Sequence, residues 1–177
     1  MNKQHLFVAL VLALAAGVAG GQQFEIPDWD NSVKFELIAS QHPIRPGDAF
    51  EVAVVVDIEE GYHLYGPEEP EPSRTEVSVS GDNVKAGKPS FPPAVKRELS
   101  GLGTYHLYEG SVAIRIPVTF SADVVTGEQS IHVDVGYQIC TDFACSAPAS
   151  EALELSLQTA APGAEVEKLY PGIFETK

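Results

Sequence analysis

The chain contains two cysteines, Cys140 and Cys145, five positions apart in the segment Tyr137-Gln138-Ile139-Cys140-Thr141-Asp142-Phe143-Ala144-Cys145. Two sulfurs held this close across a tight bend suit thiol–disulfide exchange. In that chemistry a thiolate attacks a disulfide sulfur and a neighbouring thiol resolves the mixed disulfide. A structural clip at the end of a strand is the competing reading, and such hairpin disulfides are common in exported β-proteins. In the chain-entropy model a loop of this size contributes roughly 2 kcal/mol, against about 4.7 kcal/mol for a loop of a hundred residues. A domain of this length gains little from so small a staple, which favours a reactive pair. A metal site is the third reading. His63, His106 and His132 stand at no ligand spacing from the sulfurs, and methionine occurs at position 1 alone, which removes thioether ligands. No metal and no cofactor are expected. Hydrolase chemistry has no support, since neither G-x-S-x-G nor H-E-x-x-H occurs.

The charges near the pair in sequence are acidic. From Ile116 to Glu167 there is no lysine or arginine, and Asp134, Asp142 and Glu151 flank the cysteines instead. Cations lower a thiol's pKa, whereas acidic and apolar neighbours raise it. The expectation is a pair of thiols that react poorly alone and need a docked partner. The C-x-x-C and βαβ pattern of a thioredoxin site is absent.

The elements that must position the pair are strands. Hydrophobic residues alternate with polar ones at Val33–Leu37, Phe50–Val56, Val77–Val79, Val112–Phe120, Ile131–Val135 and Leu153–Leu157. Turn signals such as Arg45-Pro46-Gly47-Asp48 and Gly81-Asp82-Asn83 separate them. No amphipathic helix of useful length is visible. Six or more such strands predict an all-β fold, an immunoglobulin-like antiparallel β-sandwich. The Cys…Trp…Cys spacing of antibody domains is missing, because Trp29 precedes both cysteines.

Two stretches read as irregular: Gly66–Ser73, rich in proline and glutamate, and the longer Gly81–Gly110. The tetrapeptide Tyr-His-Leu-Tyr occurs at Tyr62–Tyr65 and again at Tyr105–Tyr108, and we read the repeat as coincidence. Both copies put tyrosines beside turns, where rings can wall a pocket.

Residues 1–20 read as a secretory signal, with Lys3 at the start, an apolar run from Leu6 to Ala16 and small residues at Gly17–Gly21. The run is too short for a comfortable span, so no stable membrane insertion is expected. The domain is then 21–159, followed by a flexible tail over 160–177. About 155 residues remain after cleavage, enough for one domain with a real core. Loss of Lys3 moves the formal charge from -14 to -15, and nucleic acid and anionic membrane surfaces are poor partners for so acidic a surface. The protein is expected to be periplasmic or secreted, where disulfides persist.

Three segments resemble the N-terminal domain of the thiol:disulfide interchange protein DsbD. They are Gly61-Tyr62-His63-Leu64-Tyr65, Tyr108-Glu109-Gly110 leading into Val112–Phe120, and above all Gly136-Tyr137-Gln138-Ile139-Cys140 with Cys145. The resemblance covers roughly residues 24–158. It implies an immunoglobulin-like periplasmic domain that passes reducing equivalents onward. A thioredoxin-like or membrane thiol–disulfide reductase would be the electron donor, and oxidised exported proteins the acceptors. By the same resemblance Cys145 forms the mixed disulfide and Cys140 resolves it. A cap within Glu98–Tyr105 shields the pair, with Leu99 or Leu102 as apolar cover. Tyr62, Tyr65, Tyr105 and Phe143 then line the site or meet the partner. The sequence departs from the family in having Ser146-Ala147-Pro148 where paired prolines commonly follow the second cysteine. The alternative is a non-catalytic β-sandwich binding module with a structural hairpin disulfide.

Overall fold

The computed structural model describes residues 27–175 apart from 100 and 102. The expected signal segment and the candidate cover residue Leu102 lie outside the described residues.

Among the described residues thirteen strands and one short helix follow one another. They are β1 (Val33–Ala39), β2 (Gln41–His42), β3 (Ala49–Ile58), β4 (His63–Tyr65), β5 (Glu76–Ser80), β6 (Val84–Ala86) and β7 (Val95–Leu99). Then come β8 (Gly103–Tyr108), β9 (Ser111–Phe120), β10 (Gly127–Tyr137), β11 (Ile139–Cys140), β12 (Ala149–Thr159), β13 (Glu167–Lys168) and α1 (Pro171–Phe174). Every run of alternation in the sequence lies on one of the long strands.

The fold is an immunoglobulin-like antiparallel β-sandwich. The described strands form the sheets β1-β3-β9-β6, β12-β10-β5 and β11-β4-β8-β7 and the two-stranded β13-β2, and residues of the first three meet in one core. Period two explains the core. Phe50, Val52, Val54, Val56 and Ile58 of β3 point inward beside Ile114, Ile116, Val118 and Phe120 of β9. Ile131, Val133 and Val135 of β10 close over them from the opposite layer. Each such side chain removed from water is worth about 1.5–3 kcal/mol, so the two inner faces hold the layers together.

Residues 81–110 do not form the irregular loop that the sequence leads one to expect. They hold β6, β7 and β8, and the last two form a hairpin with Arg97 opposite Tyr105 and Leu99 opposite Gly103. Gly101 (φ 78°) and Gly103 (φ 114°) let the chain reverse there, in backbone conformations that side chains with a Cβ rarely adopt. The glycines that read as loop punctuation are turn residues of a hairpin. Its strands carry Lys96-Arg97-Glu98 and Tyr105-His106, which hide any hydrophobic alternation.

The C-terminal segment, read as a flexible tail, is tied to the sandwich at several points. Glu167 and Lys168 pair with His42 and Gln41, the Leu169 amide donates to Ser40 O at 2.9 Å, and Lys168 Nζ donates to Gln41 Oε1 at 2.7 Å. Backbone pairing over two residues leaves no side-chain periodicity to read. Among the described residues no helix is long and apolar enough to cross a membrane.

Candidate functional site

The sheet β11-β4-β8-β7 has two faces with different occupations. Directly paired residues project on the same side of a sheet and successive residues on opposite sides. Ile139 pairs with Leu64 and Leu64 with Tyr108, and all three belong to the main core. The other face therefore carries Cys140, His63, Tyr65, Leu107, Tyr105, Arg97 and Leu99. Leu99 and Leu107 are buried yet stand apart from the main core cluster, as expected for a separate layer over this second face.

β10 runs into β11 with only Gln138 between them, so Cys140 is delivered by the continuation of a core strand. It forms a disulfide with Cys145 across a tight loop, Cα atoms 4.0 Å apart. The loop has its own support. The Thr141 amide donates to Ala144 O at 2.8 Å and the Ser146 amide to Ile139 O at 2.9 Å. Thr141 Oγ1 accepts from the amides of Phe143 and Ala144, and Gln138 Nε2 donates to Ser146 O at 2.8 Å. A turn with this many bonds of its own has little need of a covalent clip.

The two sulfurs live in different surroundings. Cys140 is fully buried, while Cys145 is exposed. Burial of the pair is thus one-sided: Cys140 is enclosed and Cys145 is open. Tyr65 brings its hydroxyl 3.9 Å from Cys145 Sγ, and its ring packs against Tyr105 with centroids 5.5 Å apart. Burial, with Tyr105 and Glu69 adding to it, raises the Tyr65 phenol above its ordinary pKa, so it remains a hydrogen-bond donor at physiological pH. Phe143, at the tip of the loop, is 97% exposed.

Tertiary structure also corrects the electrostatic expectation. Arg97 reaches the cation-free segment from β7: its Nη2 donates to both carboxylate oxygens of Asp142, at 2.8 and 3.0 Å, and its Nη1 pairs with Glu109. A guanidinium therefore sits beside the cysteine loop, shared between two carboxylates. Leu99 is buried at the end of the same strand. Tyr62 is not on the sulfurs. Its hydroxyl accepts the Asp28 amide at 3.0 Å, its ring edge meets Trp29, and it lines a cleft of about 470 Å³ with Arg97, Glu109 and Asp142. His106 is held by Glu69 at 2.9 Å on the other face of the sheet.

The family model described as the N-terminal domain of the thiol:disulfide interchange protein DsbD matches residues 34–157. The chain belongs to this family. The DsbD N-terminal match ends inside β12, so the tied C-terminal segment lies beyond it. Among solved structures, the N-terminal periplasmic domain of ScsB from Proteus mirabilis is 15% identical with a TM-score of 0.52. That alignment covers 78% of this chain and 51% of that one, and it shows the fold. The reduced N-terminal domain of DsbD from Neisseria meningitidis is 19% identical, with 76% of this chain and 88% of that one covered and a TM-score of 0.44. A complex of the DsbD and PilB N-terminal domains from the same organism aligns at 18% identity, 73% and 85% coverage, and a TM-score of 0.46. No curated protein sequence matches the chain.

Two site residues of this DsbD N-terminal family member escaped the sequence reading. Arg97 lies 45 positions from Asp142, and no spacing rule links them. His63, weighed in sequence as a metal ligand, is buried directly opposite Cys140. The signal for it was present but unreadable: His63 and Tyr65 share a face of β4, and only the strand partner tells which face that is.

Proposed function

We propose that the protein is a thiol–disulfide exchange module of the periplasm, with Cys145 as the sulfur that bonds to partners and Cys140 as the sulfur that resolves. The observation that carries the reading is the asymmetry of the pair, one sulfur exposed and the other buried. Membership of the DsbD N-terminal family supports it. A thiolate of a reduced donor attacks Cys145 Sγ, the donor–Cys145 bond forms, and the Cys140–Cys145 bond breaks with its electron pair on Cys140. The donor's second thiolate then attacks its own sulfur in the mixed disulfide and releases Cys145. Two electrons have moved, and the donor leaves as a disulfide. In the onward step the Cys145 thiolate attacks an oxidised exported protein and Cys140 closes back on Cys145. The donor class we propose is a thioredoxin-like or membrane thiol–disulfide reductase. Phe143 and Tyr65 offer the docking partner an aromatic surface beside the open sulfur.

Trapping tests this directly. Cys140→Ser leaves the exposed thiol without its resolving partner; offered the disulfide form of a thioredoxin-like protein, its thiolate should attack that disulfide and accumulate as a mixed disulfide, whereas Cys145→Ser should not. If neither variant traps any partner and the native pair stays inert to thioredoxin-like donors, the reading fails. A structural clip would instead show a reduction potential below about -300 mV.

A further inference from the structure

His63 stands directly opposite Cys140 in the β4–β11 pair. Directly opposed residues project from the same face with Cβ atoms about 4.5–5.5 Å apart. Both side chains are buried, Cys140 at 0% and His63 at 1% exposure. His63 Nε2 has no hydrogen-bond partner among the described residues. Buried polar atoms nearly always find partners, and one that does not calls for an explanation in terms of chemistry.

We infer that His63 handles the proton of the Cys140 sulfur, donating to it when the disulfide opens and accepting from it when the disulfide closes. This rests on the exchange reading given above. In the oxidised protein the Cys140 sulfur is neutral and covalently bonded, so it makes little demand on a donor. Attack at Cys145 breaks the S–S bond and leaves the electron pair on Cys140, creating a thiolate in a buried site where an unpaired charge is costly. An imidazolium at His63 hands its proton to that sulfur, and a neutral imidazole carrying its hydrogen on Nε2 donates a hydrogen bond to it. The proton count closes without another reactant. The donor dithiol loses two protons on becoming a disulfide, Cys140 and Cys145 gain two, and His63 ends as it began. In the closing step His63 takes the Cys140 proton as that sulfur attacks the mixed disulfide.

The surroundings fit a group poised between its two states. Charged groups facing it are Arg97 from β7, Glu109 after β8 and Asp142 of the cysteine loop, and Tyr65 packs edge-on with ring centroids 6.1 Å away. Burial first, and then Arg97, hold the imidazole below its ordinary range, while Asp142 and Glu109 act in the opposite direction. His63 therefore rests neutral at pH 7 in the oxidised protein, able to gain a proton without a standing buried charge.

The test is the rate at which dithiothreitol reduces the oxidised full chain between pH 5 and 8, in wild type, His63→Gln and His63→Phe. Dithiothreitol brings both thiols itself, so no protein partner is needed. The wild-type rate should exceed both variants by about 100-fold at the acid end, where the imidazolium is populated. That ratio should fall as pH rises through the imidazole pKa, below about 6.5. A ratio that does not vary with pH for either variant overturns the inference. Should the variants fail to fold, the imidazole of the wild-type protein is titrated by NMR in its oxidised and reduced forms. An unchanged pKa on reduction overturns the inference, and a changed one supports it. Failure of thioredoxin-like donors to react, with the dithiothreitol profile as expected, sinks the exchange reading and leaves the His63–Cys140 coupling standing.

Discussion

Replacing Arg97 with alanine should loosen the hairpin from the cysteine loop by a predictable amount. Arg97 fastens β7 to the cysteine loop through Asp142 and to the end of β8 through Glu109. The side chains are between 38% and 47% exposed, so solvent screens both pairs and each is worth about 0.2–1 kcal/mol. Together they hold the hairpin down by about 1 kcal/mol, and their loss raises the open population about five-fold. The readout is alkylation of Cys140 by iodoacetamide in a Cys145→Ser background, where the single thiol is buried and reacts through opening. Arg97→Ala should speed alkylation about five-fold at low salt. In 1 M salt, where the screening length falls to about 3 Å, the protein that retains Arg97 should approach the alanine variant and the variant should barely change. Equal rates at low salt, or equal salt dependence with and without Arg97, would refute the reasoning and show that Leu99 and Leu107 alone keep the hairpin closed.

Phe143→Ala should leave stability within about 0.5 kcal/mol of wild type, since the ring is almost fully exposed, yet weaken reaction with a thioredoxin-like donor about ten-fold. Thermal unfolding and the donor's concentration dependence read the two effects separately, and a loss of stability without a loss of reactivity contradicts the docking role. Tyr65→Phe should raise the Cys145 thiol pKa in the reduced protein by about one unit, because a hydrogen bond to the thiolate is removed. Alkylation rate against pH measures it. Burial raises the Tyr65 phenol above its usual value, which favours its protonated, donating form.

How much of this was legible in the sequence depends on the distance over which the interaction acts. The long strands announce themselves by alternation because each buries one face on the core: Val52, Val54 and Val56 could be assigned inward before any partner was known. The cysteine pair is a local feature and was equally plain. What could not be read is the second face of β11-β4-β8-β7, whose members come from widely separated segments and whose strands carry no clean hydrophobic pattern. The repeated Tyr-His-Leu-Tyr shows why. Leu64 of the first copy enters the main core, but Leu107 of the second lies on the opposite face, paired with Tyr65. Identical tetrapeptides on adjacent antiparallel strands are thus used in opposite phase, and no duplicated unit underlies them. Electrostatics read along the chain misled for the same reason, since the cation nearest the cysteine loop arrives from β7.

The division of that sheet into a core face and a sulfur face separates two kinds of evolutionary freedom. Ile139, Leu64 and Tyr108 anchor the strands from below, whereas His63, Tyr65, Tyr105 and Arg97 stand on the other side of the same backbone. The disulfide closes a short loop within this layer and ties no two distant parts of the chain together. Neither cysteine takes part in the ladders of the long strands β1, β3, β9, β10 and β12. His63, Tyr65, Tyr105 and Arg97, on the same face as Cys140, stand outside the hydrophobic core cluster. Substitutions at those positions would change the surroundings of the disulfide while leaving the inward residues of β3, β9 and β10 as they are.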